Sequence, residues 1–286
     1  MNIELILIVI ILVFIFTKSQ ENYSPILSDY TISNNVNPNN NELNPNNFDI
    51  YIIHMKKNAD RMINFDKYYN NSDLKFKKYN IFPAIIGKDL NLVDYVTPNT
   101  YQQIIETEKT LSRKHHYDLT RGAVGCYLSH IAIYKKIVNS GIPYGIVFED
   151  DCIINSSFYE KLKDGLKKLP NDWDIFLLGL MCIKCDIKED YVKVSRFWGT
   201  HAYIIKNKSA AKILEHLDKP LSKQIDADLS LLDKKNIIKI YSINPVITTQ
   251  EGAFVSDIQL DVEDTSEAFN EEFRQRGLMK YRTNQK

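Results

Sequence analysis

The stretch GIVFEDD, residues 145–151, decides how this sequence folds, because a short apolar run passes straight into three carboxylates. Its first four residues are typical of a buried strand, and the strand ends at Glu149, Asp150 and Asp151. In open α/β sheets, ligands collect outside the carboxyl ends of the strands. The stretch therefore predicts a strand that delivers an acidic group to a ligand site.

A helix is predicted immediately before this strand, and it begins at Gly125. One of its faces carries apolar residues at helical spacing, namely Tyr127, Ile131, Tyr134 and Val138. Gly141 and Pro143 are expected to end it.

The same alternation continues on both sides. A second helix is predicted after the carboxylates, with apolar positions at Phe158, Leu162, Leu166 and Leu169, and Pro170 ends it. Apolar strands are predicted at residues 50–53 and 174–179. Strands that alternate with helices predict an α/β fold with a mostly parallel sheet and helices on both faces.

The chain divides into four parts. Residues 1–18 contain an unbroken apolar run at 5–16. This run predicts a membrane anchor or, if it is cleaved, a signal segment. The alternative is a buried strand of the core. Residues 19–47 form an asparagine-rich stem that cannot bury apolar area and is predicted to be disordered. Residues 48–262 form the predicted catalytic domain, and 263–286 a polar tail. An uncleaved anchor would place the domain on the lumenal or external side of a membrane, and cleavage would release it as a secreted protein.

Composition excludes one class of partner. Of the 286 residues, 44% are hydrophobic and 25% are charged, and 36 basic residues balance 36 acidic ones. A chain without net charge has no field that would attract nucleic acid, so no nucleic-acid partner is predicted.

The four cysteines are too few for a disulfide-rich scaffold. Cys182 and Cys185 form a single C-x-x-C pair, and no second pair follows to complete a structural zinc site. A local disulfide or a chance pair is the preferred interpretation.

The three carboxylates admit two interpretations. Adjacent carboxylates repel one another unless solvent or a cation neutralises them, and oxygen ligands of this kind suit Mg²⁺ or Mn²⁺ that also binds substrate phosphates. The alternative is a solvated acidic turn that caps the next helix. Taken alone, the triplet favours the acidic turn.

An ordered series of motifs changes that balance. Residues 119–130 (LTRGAVGCYLSH) and 146–151 (IVFEDD) resemble glycosyltransferase family 25, which includes bacterial lipopolysaccharide sugar transferases and animal procollagen galactosyltransferases. Further matches follow the family's order: YIIH at 51–54 with Arg61, DIFLLG at 174–179, GTHAY at 199–203 and SDI at 256–258. The resemblance covers about residues 48 to 260.

The resemblance implies a GT-A-like nucleotide-binding fold and a metal-dependent nucleotide-sugar donor. It also implies transfer of galactose or glucose, with inversion, to a hydroxyl of a glycan or protein acceptor. Glu149 and Asp151 would face the Mn²⁺ or Mg²⁺ ion. The residues implied to border the donor are Ile53, His54, Arg61, Ala84, Gly87 and Asp150.

Three further residues carry implied catalytic roles. Asp226 and Asp228 lie where the family has another acidic site, so either is a candidate general base, and the alternative for each is an acidic helix start. His130 is either a core histidine or a site residue. Two ionic partners are open for Arg61: a phosphate of the donor or a neighbouring acidic side chain.

Two departures from the family pattern keep a non-enzymatic hypothesis open. Ala123 stands where the family usually has glutamate, and His54 where it usually has asparagine. The alternative function is an inactive carbohydrate-binding or structural surface protein that retains the fold. A phosphate-metal hydrolase is a weaker third hypothesis, because the sequence has no histidine cluster or nucleophile elbow.

Overall fold

The structure is a computed structural model that describes residues 42–111, 113, 118–217, 220–252 and 258. Its strands are β1 (Phe48–His54), β2 (Asn80–Pro83), β3 (Tyr144–Glu149), β4 (Cys152–Ile154), β5 (Ile175–Leu177), β6 (Met181–Ile187), β7 (Tyr191–Trp198), β8 (Ala202–Lys206), β9 (Ile240–Ile243) and β10 (Thr248–Gln250). Its α-helices are α1 (Ala59–Asn70), α2 (Pro98–Thr110), α3 (Arg121–Ser140), α4 (Phe158–Lys168), α5 (Asn207–Leu217) and α6 (Ile225–Lys234), and short 3₁₀ turns span Gly87–Asp89 and Leu92–Asp94.

One 8-stranded sheet, in the order β2-β1-β3-β8-β5-β9-β7-β6, organises the described chain. A separate 2-stranded ribbon pairs β4 with β10. The predicted α/β class is confirmed, and the strands expected at residues 50–53, 145–148 and 174–179 are β1, β3 and β5.

The sheet is mixed rather than mostly parallel. β1 pairs in parallel with β2 and β3, and β5 with β9. However, β8 lies between β3 and β5 and runs antiparallel to both. The hairpin of β6 and β7 adds further antiparallel pairs. Strand direction depends on which partner a strand finds in space, and the apolar pattern of one strand does not encode it.

Helices cover both faces of the sheet, as predicted. On one face, the buried residues of α3, α5 and α6 pack in a single core with alternate residues of the central strands, such as Val147 and Tyr203. On the other face, α1 and α4 pack against the remaining alternate residues, such as Phe148 and Ile204. The central strands are buried on both sides, which explains why their sequences are apolar without alternation.

Helix α3 shows the expected stop and an earlier start. Gly141 follows its last residue in the left-handed conformation, with φ of 68°, where glycine is favoured. Thr120 caps the other end, because its hydroxyl accepts a hydrogen bond from the Ala123 amide. The helix therefore begins at Arg121, one turn before Gly125.

The packed part of the chain begins before the predicted boundary at residue 48. Leu43 is 4% exposed and joins the core on the α1 and α4 face. The Asn47 carbonyl accepts a hydrogen bond from the Tyr144 amide, and the Pro45 carbonyl accepts one from Lys77. Residues 42–47 thus belong to the domain, whereas the rest of the predicted stem, residues 19–41, lies outside the described residues along with the anchor and the tail.

Cys182 and Cys185 form a disulfide on β6, which is one of the two interpretations that the sequence left open. The pairing of β6 with β7 shifts its register between these two cysteines. The short cross-link therefore lies at an irregularity of the hairpin, away from the acidic strand end.

Candidate active site

A pocket of about 110 Å³ lies at the edge of the sheet where the parallel strands β1, β2 and β3 end. The first half of α3 and the segment after β2 close its sides. Its lining residues are Ile53, Met55, Arg61, Ala84, Ile85, Gly87, Gly122, Cys126, Ser129, Glu149, Asp150, Asp151, Gln250 and Ile258. The pocket thus occupies the strand-end position expected for a ligand site in an open α/β sheet.

The structure brings most of the predicted site residues together in this pocket. Those that line it are Ile53, Arg61, Ala84, Gly87, Glu149, Asp150 and Asp151. His54 and His130 lie behind the wall and contact two of these carboxylates. Asp226 and Asp228 are not among the lining residues. The roles of all these predicted site residues in binding and catalysis stay predictions.

Asp150 contacts two side chains from the first part of the domain. It is 4% exposed. One of its oxygens lies 2.7 Å from Nδ1 of His54, and the other accepts a hydrogen bond from Arg61 at 3.3 Å. The same Arg61 nitrogen is 3.9 Å from Asp151. Asp150 therefore joins α1 and β1 to the end of β3, and Arg61 contacts acids at the pocket wall.

Glu149 is held from behind by a buried polar network. Its Oε1 lies 3.3 Å from Nε2 of His130 and accepts a hydrogen bond from the Thr200 hydroxyl at 3.1 Å. The other ring nitrogen of His130 lies 2.8 Å from the Tyr203 hydroxyl. Burial alone would raise the pKa of Glu149, but the hydrogen bond and charge of His130 and the hydrogen bond of Thr200 lower it. Glu149 is thus kept ionised and oriented.

Asp151 has the opposite electrostatic environment. Burial, and then the negative charge of Glu149, raise its pKa from 3.8 to about 7. Its Oδ1 is buried and has no hydrogen-bond partner among the described residues. Its Oδ2 accepts a long hydrogen bond of 3.4 Å from Gln250. A buried carboxylate oxygen without a donor, beside a second carboxylate, fits a divalent cation that binds oxygen ligands.

Asp226 and Asp228 both lie in the first turn of α6, as the acidic-helix-start interpretation also predicted. Asp226 is 6% exposed and accepts hydrogen bonds from the amides of Gly199 and Ala227. Asp228 accepts a hydrogen bond from the Tyr127 hydroxyl. Burial raises the pKa of both carboxyls. The charge of Glu149 also acts on Asp226, so Asp226 is electrostatically linked to the pocket.

His130 is a support for Glu149 and not a lining residue. It is fully buried, and its two ring nitrogens contact Tyr203, Glu149 and Thr200. This arrangement joins the two interpretations that the sequence left open: the side chain is a core histidine whose polar contacts support the site.

Close backbone packing, which sequence reasoning missed, shapes one side of the pocket. A Cβ atom on Gly125 would lie 2.3 Å from the Ile85 carbonyl oxygen, and one on Gly87 would lie 1.8 Å from the Arg121 carbonyl oxygen. Ser129 accepts a hydrogen bond from the Ile85 amide and donates one to Gly125. These contacts hold the loop after β2 against α3. The small residues at 119–130 were the signal in the sequence from which this close packing could have been predicted.

Two parts of the predicted organisation are not tested by these residues. None of the described helices combines the length and apolarity needed to cross a membrane, and the predicted anchor lies outside the described residues. Of the motif at 256–258, only Ile258 is described, and it lines the pocket.

An α/β fold with a carboxylate-rich pocket at the strand ends defines a class of ligand-binding proteins whose acidic side chains suit a divalent cation. Comparison with known proteins narrows the class. Residues 47–229 match the model of glycosyltransferase family 25, described as a lipopolysaccharide biosynthesis protein family. The chain belongs to glycosyltransferase family 25.

Three relatives illustrate the range of the family. The chain is 33% identical over 153 residues to the lipooligosaccharide biosynthesis protein lex-1 of Haemophilus influenzae, covering 46% of this chain and 50% of that protein. It is 28% identical over 218 residues to procollagen galactosyltransferase 1-A of Xenopus laevis, covering 68% of this chain and 32% of that protein. It is also 31% identical over 120 residues to the human inactive glycosyltransferase 25 family member 3, covering 38% of this chain and 20% of that protein. The matches thus span half or less of each relative.

Proposed function

We propose that this chain transfers a sugar, galactose or glucose, from a nucleoside-diphosphate donor to a hydroxyl of a glycan or protein acceptor. The observation that carries the proposal is the pair of carboxylates Glu149 and Asp151 in one pocket, one oriented by buried donors and the other with an unpartnered oxygen. Family membership and the galactosyltransferase names among the relatives support sugar transfer.

The pocket suits a donor whose leaving group gains negative charge. A Mn²⁺ or Mg²⁺ ion held by Glu149 and Asp151 would supply charge neutralisation for the departing nucleoside diphosphate without proton transfer. Thr200 and His130 both contact Oε1 of Glu149, so in this proposal the cation binds the other oxygen of the carboxylate. Apolar residues such as Ile53 and Ala84 line other parts of the pocket.

The acceptor hydroxyl requires a base on the opposite face of the sugar, if transfer proceeds with inversion. We favour Asp226 over Asp228 for this role. The charge of Glu149 acts on Asp226, whereas the hydroxyl of Tyr127 and nearby lysines act on Asp228. The pKa of Asp226 is raised by burial, which makes its carboxylate a stronger base.

The alternative is an inactive protein that retains the fold. It is favoured by the relatives that are named inactive, at 31% identity, and by the departures at Ala123 and His54. His54 nevertheless contacts Asp150 at 2.7 Å, so the departure preserves a polar partner for this carboxylate. In either case, we propose that residues 1–18 attach the domain to a membrane.

The test is a measurement of donor consumption by the full chain. The protein is incubated with Mn²⁺ or Mg²⁺ and a panel of nucleotide sugars that includes galactose and glucose donors, and released nucleotide is followed. We expect metal-dependent release, its loss in Asp151→Asn, and its retention in Asp164→Asn, a matched change of an exposed carboxylate on α4. Equal donor binding by wild type and Asp151→Asn, with no donor consumed, would support the inactive alternative.

A further inference from the structure

A second set of potential metal ligands lies at the pocket wall and directly behind it. Cys126, His130 and Glu149 each offer one ligand atom, and these atoms all lie within 4.8 Å of one another. Cys126 and His130 are four residues apart on α3, so they project from the same face of the helix. Glu149 reaches them from the end of β3.

The chemistry of this set differs from that of the two carboxylates. A thiol and an imidazole are the ligands that zinc prefers, whereas Mg²⁺ and Mn²⁺ prefer carboxylate and water. Bonds of about 2.0 Å at tetrahedral angles separate nitrogen and oxygen ligands of zinc by about 3.3 Å. Nε2 of His130 and Oε1 of Glu149 are 3.3 Å apart. Two of the three ligand atoms therefore already have the spacing that a zinc ion requires.

The neighbours of these ligands resemble the outer shell of a metal site. Histidines that bind zinc usually make a hydrogen bond through their other ring nitrogen, which fixes the ring orientation. Nδ1 of His130 makes such a contact with the Tyr203 hydroxyl at 2.8 Å, and both side chains are fully buried. The Thr200 hydroxyl contacts the two ligand atoms themselves, Oε1 of Glu149 at 3.1 Å and Nε2 of His130 at 3.0 Å. The ligands are thus held in place by the fold itself.

We infer that Cys126, His130 and Glu149 bind Zn²⁺ at the wall of the pocket, and that zinc there competes with the harder cation of the transfer reaction. Both sets include Glu149, so a bound Zn²⁺ places its positive charge beside the site of the harder cation and weakens the binding of that cation. Coordination releases the Cys126 proton to solvent. Cys126 and Glu149 line the pocket, whereas His130 lies behind them and is fully buried. Binding of zinc is independent of the proposed function, whereas inhibition by zinc rests on it.

Cobalt reports on the site directly, because Co²⁺ substitutes for zinc and a cobalt–thiolate bond gives a charge-transfer absorption band. The full chain is titrated with Co²⁺ and then Zn²⁺ without reductant, so that Cys182 and Cys185 stay paired. The test variant is Cys126→Ser, and the matched control is Cys152→Ser. Cys152 is also a free cysteine, but its thiol contacts the His201 carbonyl and it is outside the ligand set.

We expect the thiolate band in wild type and in Cys152→Ser, its absence in Cys126→Ser, and its loss on addition of Zn²⁺. We also expect Zn²⁺ to release bound Mn²⁺ from wild type, measured by electron paramagnetic resonance of the free ion. The inference is overturned if wild type gives no thiolate band, or if the band persists in Cys126→Ser. A protein that gives the band but neither binds Mn²⁺ nor consumes a donor would keep the zinc site and contradict the proposed function.

Discussion

At the scale of single residues, the neighbouring carboxylates Glu149 and Asp151 have opposite electrostatic environments although they are two positions apart. Glu149 meets the buried donors His130 and Thr200, which lower its pKa. Asp151 meets burial and the charge of Glu149, which raise its pKa to about 7. The string of three acids in the sequence does not reveal this asymmetry, because the residues that cause it come from α3 and from the loop before β8.

The raised pKa of Asp151 predicts how stability depends on pH. The fold retains a proton that the unfolded chain releases above 3.8, so rising pH between about 4 and 7 destabilises the metal-free fold. Without divalent cations, Asp151→Asn should therefore melt at a higher temperature than wild type at about pH 8, and the difference should vanish by about pH 4. Asp164→Asn, on an exposed carboxylate, should show no such pH-dependent difference.

At about pH 8, a divalent cation should reverse the order of the two melting temperatures, so that wild type melts above Asp151→Asn. The reason is that a cation stabilises the folded state to which it binds. Added Mn²⁺ should raise the melting temperature of wild type and leave Asp151→Asn unchanged. Thermal denaturation followed by circular dichroism measures both effects. A variant that melts below wild type in the absence of metal at this pH would contradict the account of Asp151.

At the scale of elements, the sequence predicted those strands and helices whose signal is local. β1, β3 and β5 are apolar runs, and the end of α3 is marked by Gly141. The position of β8 was not predicted, because pairing between β3 and β5 is a contact between distant parts of the chain. Likewise, the lining residues at the strand ends could be predicted from the sequence. The contacts of Ser129 and the network behind Glu149 could not, because they depend on how α3 packs.

The contact between α3 and the loop after β2 predicts that Gly125 is needed for the shape of the pocket. In Gly125→Ala, the new Cβ would meet the Ile85 carbonyl oxygen at 2.3 Å and the Gly87 amide nitrogen at 2.8 Å, and backbone atoms cannot rotate away. We expect a loss of about 1–3 kcal/mol in the free energy of unfolding, typical of overpacking, and weaker donor binding. Urea denaturation and calorimetric titration with donor measure the two effects.

Gly165→Ala is the matched control, since Gly165 is also a buried glycine within a helix, α4. Its Cβ would meet only side-chain atoms of Ile243 and Phe176, the nearest at 2.9 Å, and the end of Ile243 can move. Alanine also has the higher helix propensity. Donor binding should be unchanged in this variant. Equal effects of the two substitutions on donor binding would show that the approach of α3 to the loop does not shape the pocket.

At the scale of the whole molecule, the two faces of the sheet are packed with different kinds of side chain. The face covered by α3, α5 and α6 carries the polar network that reaches Glu149, whereas the opposite face, covered by α1 and α4, is a core of large apolar and aromatic side chains. Asp150 connects the aromatic face to the acidic end of β3, because its partner Arg61 lies on α1. The stability of the aromatic face therefore supports the acidic pocket at the edge.

The N-terminal extent of that aromatic face gives the last prediction. Leu43 lies before the first strand, yet it is 4% exposed and packs with Phe48 and its neighbours. In the full chain, Leu43→Ala should lower the free energy of unfolding by about 2 kcal/mol or more, as expected for a buried leucine. Ile63→Ala, at a position 68% exposed on α1, should change it by less than about 0.5 kcal/mol. Equal, small losses in urea denaturation would mean that residues 42–47 belong to the polar stem and that the domain begins at β1.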